Sequence, residues 1–222
     1  MPASSAQLGK YEQALYYEIF IKEEYRIAKP TIKNAKTIFD IGGHLGFFSE
    51  RCLSLNPHLQ LHYFEPFDAL FQQAKIRLQN FAPQITFNPF AIASSTGTAT
   101  FTFNASKTMQ SSKTPSFLNP TGIPQQVHTQ SLNQYIKEQK IWSIDLVKLD
   151  IEGMEFEVLF ALEPATRSSI KTLLCEVHLL TESEAAQLPH LQSLLSTHFA
   201  QITRLPSPYS SKINLCFCQN PL

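Results

Sequence analysis

The chain has 222 residues, of which 43% are hydrophobic, so it is long enough to bury a sizeable core without disulfides or structural metals. Its 18 basic and 18 acidic residues cancel, and this balance does not favour nucleic acid or an anionic membrane as a partner. No stretch approaches about 18 consecutive apolar residues, which argues against a membrane span. Residues 1–10 lack a charged segment followed by an apolar run, so we expect no signal peptide.

The cysteines indicate a reducing compartment. Cys52, Cys175, Cys216 and Cys218 form no CxxC pair, and zinc sites need ligands spaced more closely than these. We interpret all four as buried free thiols, which is the usual state of cysteine in intracellular proteins. We therefore expect a cytoplasmic protein.

The first half of the chain begins with a predicted helix and then alternates between strand and helix. Apolar residues recur at helical spacing over 8–28, and Pro30 is expected to end that helix. Short apolar runs bounded by glycine or proline predict the strands that follow. The predicted elements are, in chain order, strand 37–41, helix 47–55, strand 59–65, helix 67–81, strand 85–93 and strand 98–104.

A polar segment without periodicity, residues 105–124, interrupts this alternation and carries three prolines. Loops of this length are usually functional or disordered, so we interpret it as a long loop and a candidate lid. The alternation resumes with a helix that Ser131 is expected to cap. The predicted elements are helix 131–139, strand 144–151, helix 155–162, strand 170–179, helix 182–198, and strands 199–205 and 212–218.

Alternating strands and helices predict an α/β fold, in which an open, mostly parallel sheet is covered by helices on both faces. No helix separates the last two strands, so they are expected to pair antiparallel at the C-terminal edge of the sheet. We divide the chain into an N-terminal helical element, residues 1–30, and a single α/β domain, residues 31–222.

A glycine-rich turn, DIGGHLG at residues 40–46, joins the first predicted strand to its helix. Glycine permits positive φ and close approach to a ligand, and the helix start offers unpaired N–H groups. A dinucleotide fingerprint from Gly42 would need glycine where His44 and Phe47 stand, which argues against a nicotinamide oxidoreductase. The turn suits a ligand with an amino-acid group and no phosphates, although a glycine turn without any ligand stays an alternative.

An acidic residue ends the second predicted strand. Glu65 lies 23 residues after Gly42, where an acidic side chain accepts hydrogen bonds from both hydroxyls of a ribose in nucleotide-binding folds. The two features together favour an adenosine-containing ligand. A solvated acid at a strand end remains the simpler alternative.

Charged residues alternate along two later strands. Period two places Lys148, Asp150 and Glu152 on one face of the first, and Glu176 and His178 on one face of the second. If these strands are adjacent, Lys148 is expected to pair with Glu176, while Asp150, Glu152 and His178 face the cleft. Two alternatives stay open: a salt-bridge network that only holds the strand ends, and a Mg²⁺ or Mn²⁺ site formed by the three carboxylates and the histidine.

With these motifs the chain resembles the FkbM family of methyltransferases over roughly residues 37–180. The Lys-x-Asp-x-Glu-Gly element at 148–153 is the most specific part. One departure is His44, where the family usually has asparagine. The matching stretches are residues 39–46, 63–66, 131–132, 145–153 with Glu155 and Leu159, and 175–178.

The resemblance implies a class I methyltransferase fold and transfer of a methyl group from S-adenosylmethionine, releasing S-adenosylhomocysteine. The acceptor would be a hydroxyl of a small molecule, usually a sugar or natural product. A divalent metal is not favoured, and homo-oligomerisation is left open. A protein of this fold that binds the cofactor without turnover is the alternative.

Methyl transfer from this donor leads to a hypothesis for the roles within the site. The glycine turn would hold the methionine moiety, Glu65 the ribose, and the residues near Phe90 the adenine. Asp150 would lie near the amino group or the methyl group, and His178 or Glu152 would act as general base. The expected cofactor-binding residues are Asp40, Gly42, Gly43, His44, Gly46, Glu65, Pro66, Phe90, Ala91 and Asp150.

Overall fold

A computed structural model describes residues 9–103, 123–206, 210 and 212–220. Its framework is a seven-stranded sheet, in which every neighbouring pair is parallel except the two pairs made by the C-terminal strand. The strands are, in spatial order, β3 (Ile85–Asn88), β2 (Gln60–Phe64), β1 (Thr37–Ile41), β7 (Leu146–Leu149), β8 (Thr172–His178), β10 (Ile213–Gln219) and β9 (Gln201–Pro206).

The predicted mostly parallel sheet with an antiparallel C-terminal edge is confirmed. Each parallel connection contains a helix, because parallel strands need a long crossover. The last two strands in the chain, β9 and β10, pair antiparallel, and β10 inserts between β8 and β9, antiparallel to both. The order places β1 beside β7 in the middle of the sheet, which decides the contacts of the site.

Helices cover both faces of the sheet, as predicted. Alternating strand residues enter two separate hydrophobic clusters: Ile38 packs on one face, and Phe39 and Ile41 pack on the other. Burying each such side chain contributes about 1.5–3 kcal/mol. The first face is covered by α2 (Lys29–Asn34), α3 (Phe47–Leu55) and α4 (Asp68–Arg77), and the second by α5 (Leu132–Gln139), α6 (Glu155–Phe160) and α8 (Glu182–Ser196).

The described chain also contains several short helices. The N-terminal region is helical as predicted but is divided into α1 (Lys10–Tyr16), a π-helix (Tyr17–Ile21) and a 3-10 turn (Arg26–Ala28). The expectation that Pro30 ends a helix is wrong, because Pro30 lies in the first turn of α2. Proline suits that position, since the first helical N–H has no partner within the helix. Two further short helices are a 3-10 helix, Gln79–Gln84, and α7 (Pro164–Ser169).

A second sheet of three strands has the order β4 (Ala91–Ala93), β6 (Ile123–Ser131) and β5 (Gly97–Phe103). The prediction of one strand over 85–93 is wrong, because β3 belongs to the large sheet and β4 to the small one. Pro89 stands between them and cannot donate a ladder hydrogen bond.

The predicted loop 105–124 lies mostly outside the described residues, and Ile123 and Pro124 are the first residues of β6. That strand was not predicted, since its sequence is largely polar. It is followed by α5, whose cap is confirmed: the Ser131 side chain accepts a hydrogen bond from the Gln134 N–H at 3.2 Å.

Candidate functional site

The carboxyl ends of the parallel strands meet at one cavity of about 580 Å³. Gly42, Glu65 and Asp150 directly follow β1, β2 and β7, and His178 ends β8; all four line the cavity. This is the edge at which open α/β sheets bind ligands, and the volume is that of a small-molecule site. The edge therefore brings together residues that lie far apart in the sequence.

The glycine turn is held by the protein's own backbone. Gly42 has φ 76°, and an added Cβ would lie 1.9 Å from the carbonyl oxygen of Asp150. Its N–H donates to the carbonyl of Phe64 at 3.1 Å, and its carbonyl accepts from Lys148 Nζ at 2.7 Å. Glycine is required here because the turns after β1 and β7 touch, and this contact fixes the floor of the cavity.

His44 lines the cavity in an unusual backbone conformation. Its φ is 51°, in the left-handed region where asparagine and histidine are enriched among residues other than glycine. Its N–H donates to Glu65 Oε2 at 3.0 Å, and its carbonyl accepts from the Tyr63 hydroxyl. Burial lowers the pKa of His44 to about 4, so its ring is neutral near pH 7. Histidine is therefore compatible with the left-handed conformation that this turn requires.

Glu65 is a buried carboxylate that faces the cavity. Oε1 accepts from the Phe67 N–H at 2.9 Å, and Oε2 accepts from the His44 N–H. Burial raises the pKa of Glu65 to about 7, although these N–H groups and Lys148 oppose the shift. A carboxylate has roughly four acceptor positions. Within the described part of the chain two are used by the backbone, which leaves capacity for a pair of hydroxyl donors.

Lys148 is the central cation of the site. Its ammonium lies 3.4 Å from Asp40 Oδ1 and 3.4 Å from Asp150 Oδ2. The predicted ion pair between Lys148 and Glu176 is therefore wrong. Asp40 also accepts from the Ser49 hydroxyl at 2.6 Å. Burial opposes the charge on Lys148, but Asp150 and Asp40 outweigh it and raise the pKa of Lys148 above its ordinary value.

The predicted strand alternation ends at Leu149. Residues 150–154 form a turn, so Asp150 and Glu152 reach the cavity from a turn rather than from one strand face. Glu152 has φ 57°, which is uncommon for a residue with a side chain. The turn is closed by Glu155, whose Oε1 accepts from the Ile151 N–H at 3.0 Å.

His178 lies between two carboxylates. Its Nδ1 is 3.0 Å from Glu155 Oε1, and its Nε2 is 3.5 Å from Glu152 Oε2. Burial favours the neutral ring, but Glu155 and then Glu152 and Asp150 outweigh it and raise the pKa of His178 well above 6.5. These carboxylates therefore favour the binding of a proton by this group.

Burial also raises the pKa of other carboxyl groups around the cavity: to about 7 for Glu24, about 8 for Glu152 and about 9 for Glu176. Ligand atoms of Asp150, Glu176 and His178 lie within 4.8 Å of one another and could hold a metal ion. Glu152, the fourth member of the predicted metal set, does not belong to that group. A hydrogen bond with Glu176 helps to lower the pKa of Asp150, while burial and then Asp150 raise the pKa of Glu176, so the two groups favour a single proton held on Glu176.

Glu176→Gln is expected to raise the melting temperature increasingly as the pH rises. The folded-state pKa of about 9 exceeds the unfolded value of 4.5, so stability present below pH 4.5 is lost as the pH rises towards 9. Glutamine cannot ionise, and its amide N–H can still donate to Asp150. The gain should be several degrees at pH 9, since each kcal/mol is worth about 2–4 °C. Thermal melts from pH 5 to 9 measure this gain in melting temperature. Glu182→Gln, at an exposed position, is the control. A gain that does not depend on pH would contradict the raised pKa of Glu176.

Most of the predicted site residues line the cavity, but two do not in the part of the chain described. Asp40 is fully buried behind the turn, and Gly46, with φ 80°, precedes the first residue of α3 and packs against Leu78. The predicted residues that line it are Gly42, Gly43, His44, Glu65, Pro66, Phe90, Ala91, Asp150, Glu152, Glu176 and His178.

Several lining residues were not predicted. The N-terminal helices contribute Leu15 and Ile19, whose helical spacing indicated a buried face but not what that face covers, and Tyr25 lines the cavity from the turn before the 3-10 helix. Phe67 and Phe101 add aromatic walls. The position of these residues depends on how the N-terminal helices pack over the sheet edge, which no local pattern reveals.

Comparison with known proteins identifies the family of the chain. Residues 40–202 match the model of the methyltransferase FkbM domain. The chain belongs to the FkbM methyltransferase family. It is 26% identical over 193 residues to the 31-O-demethyl-FK506 methyltransferase FkbM of Streptomyces tacrolimicus, covering 75% of this chain and 74% of that protein.

Two further proteins are similar to the chain to different extents. The chain is 22% identical over 224 residues to the AMB antimetabolite synthetase AmbE of Pseudomonas aeruginosa; 85% of the chain is covered, but it spans only 10% of that relative. A putative rRNA-methylase from Clostridium thermocellum has a similar structure, with a TM-score of 0.53, 9% identity, and coverage of 89% of this chain and 96% of that one. At this identity the likeness concerns the fold alone. No described helix is both long and apolar enough for a membrane crossing.

Proposed function

We propose that this FkbM-family protein transfers a methyl group from S-adenosylmethionine to a hydroxyl oxygen of a small molecule, a sugar or a natural product. One observation carries the proposal: the Glu65 carboxylate, with acceptor capacity left, lies at the same cavity as the Gly42 turn and Asp150. Each of these features suits one part of the donor: Glu65 suits the ribose diol, the Gly42 turn the amino-acid group, and Asp150 an ammonium or the cationic sulfur.

The lining residues fit S-adenosylmethionine in chemistry as well as in size. Phe90, Ala91 and Ile92 provide an apolar wall for an adenine ring. Asp150 is ionised, because Lys148 and then His178 lower its pKa against the effect of burial, and a carboxylate there suits an ammonium or sulfonium group. When bound, the donor supplies a methyl group on a positively charged sulfur.

The protein's part in the reaction is positioning and proton transfer. Holding two reactants in line can lower the activation barrier by about 7–11 kcal/mol. The acceptor hydroxyl must lose its proton as it attacks, and a group with a pKa near the working pH does this best. We assign this role to Glu152 and His178, which face each other at 3.5 Å at the cavity. The acceptor itself is proposed to be a small molecule because the site is a pocket and the formal net charge is +0.

The direct test is the release of S-adenosylhomocysteine. Purified protein with S-adenosylmethionine is expected to form it in step with an O-methylated product when hydroxylated sugars and natural products are supplied, and not with the matching amines. Turnover is expected to persist in EDTA and not to need Mg²⁺, because Lys148 already lies beside Asp150 and His178 beside Glu152. Asp150→Asn should lower turnover. Cofactor binding without turnover on any acceptor would support the binding-protein alternative instead, and methylation of amines alone would refute the proposed acceptor class.

A further inference from the structure

Glu155 is a fully buried carboxylate that stands behind the cavity. It is the first residue of α6, and its two oxygens serve three donors. Oε1 is 3.0 Å from the Ile151 N–H and 3.0 Å from His178 Nδ1, and Oε2 accepts from the Gly153 N–H at 3.1 Å. Neither the sequence pattern nor the proposed mechanism assigned this residue a role.

The first consequence concerns the turn after β7. Glu152 is held with φ 57°, a conformation that costs about 1–3 kcal/mol and persists only where the surroundings impose it. The N–H groups on either side of Glu152, those of Ile151 and Gly153, are the two that Glu155 binds. Glu155 therefore imposes the strained conformation that brings the Glu152 side chain to the cavity.

The second consequence concerns the histidine. A carboxylate is only an acceptor, so the nitrogen beside Glu155 must carry the hydrogen. His178 is thus bound through Nδ1–H, and Nε2 is the nitrogen that approaches Glu152, at 3.5 Å. A buried carboxylate at the rear nitrogen of a histidine is the arrangement that orients catalytic imidazoles and stabilises their protonated form.

We propose that Glu155 is a positioning residue that holds Glu152 and the Nε2 of His178 together as one proton-accepting pair facing the acceptor. The proposal rests on the proposed methyl transfer. In that step the acceptor's O–H bond breaks and its proton passes to the pair, while the oxygen forms a bond to the methyl carbon. The carbon–sulfur bond breaks, and its electron pair stays on the sulfur of S-adenosylhomocysteine. Water then removes the proton from the pair.

The charges around His178 set the direction of a test by pH. Carboxylates face it from three elements: Glu155 from α6, Glu152 and Asp150 from the turn after β7, and Glu176 from its own strand. Lys212, which precedes β10, lines the same cavity. Because the acids dominate, removing the charge of Glu155 should weaken proton binding by His178, and the group should lose its proton at lower pH.

The test uses Glu155→Gln in the full chain, saturated with S-adenosylhomocysteine. Glutamine keeps an oxygen for the donors but removes the charge. We expect the proton affinity of His178, followed by NMR of the ring nitrogens across pH, to fall about tenfold or more, since a one-unit pKa change is tenfold. In turnover assays kcat should fall about tenfold or more, with its rising pH limb shifted to lower pH and KM for the donor little changed.

Two variants complete the design. Glu157→Gln, a carboxylate of the same helix that binds Ser94 instead, is the matched control and should leave the His178 titration unchanged. Glu155→Asp keeps the charge and should retain the His178 titration, which also covers the case in which Glu155→Gln fails to fold. An unchanged titration in folded Glu155→Gln, or a shift equal to that of Glu157→Gln, would overturn the proposal. The NMR titration needs no turnover, so lack of activity in every variant would refute the methyl transfer separately.

Discussion

Glu65→Ala is expected to weaken the binding of S-adenosylhomocysteine by about 100-fold or more, which isothermal titration calorimetry would record as a loss of measurable heat. A hydrogen bond to a charged group is worth about 1.5–3 kcal/mol, and two ribose hydroxyls would lose theirs together. Each 1.4 kcal/mol is a factor of ten in affinity. The substitution also leaves the His44 and Phe67 N–H groups without their acceptor, so the turn itself would loosen.

Two further variants distinguish a loss of ribose binding from a loss of structure. Glu65→Gln keeps the acceptor for one N–H and should bind with intermediate affinity, whereas Glu182→Ala, on the exposed first turn of α8, should bind like the wild type. Affinity of the wild type should also fall between pH 8 and pH 6, because burial raises the pKa of Glu65 to about 7 and the diol favours the ionised form. Near-wild-type affinity in a folded Glu65→Ala would refute the ribose assignment.

Local sequence signals were sufficient for the elements that surround the turn. The predicted bounds of β1 and α3 agree with the structure, because glycines separate them and Asn56-Pro57 follows the helix. The signals failed where tertiary packing decides. Pro89 divides one apolar run between two sheets, and polar β6 is stabilised by pairing with β4 and β5 rather than by its own pattern.

The site was predictable to the extent that it follows from a rule about sheet edges. The rule that ligands bind at the carboxyl ends of parallel strands predicts that Gly42, Glu65 and His178 lie together, and all three line one cavity. It could not identify the partner of Lys148, because the partner depends on strand order. In the sheet β1 lies beside β7, and Asp40 is opposite Lys148 in the register, so one of its two acidic partners comes from a strand more than 100 residues away in the sequence.

Lys148→Met is expected to destabilise the protein by about 3–5 kcal/mol, measured as the free energy of unfolding in urea. Removing one partner of a buried ion pair costs this much because the other charge stays behind without compensation. Here the carboxylate left behind is Asp40, which is fully buried and whose Oδ1 has no hydrogen-bond partner among the described residues. Gly42 also loses the donor to its carbonyl, so binding of S-adenosylhomocysteine should weaken together with stability.

A double substitution tests whether the cost comes from Asp40 rather than from lost packing. In Asp40→Asn/Lys148→Met no charge remains at position 40, and the asparagine oxygen can still accept from Ser49. Residues in one ion-pair network show coupling energies of about 0.5–3 kcal/mol, so the double variant should be more stable than the sum of the single effects predicts. Asp150 keeps its partial exposure at the cavity and can be hydrated, which is why the unpaired charge at Asp40 should dominate the loss. Additive effects of the two substitutions would contradict this origin and would make the apolar stem of Lys148 the stabilising part.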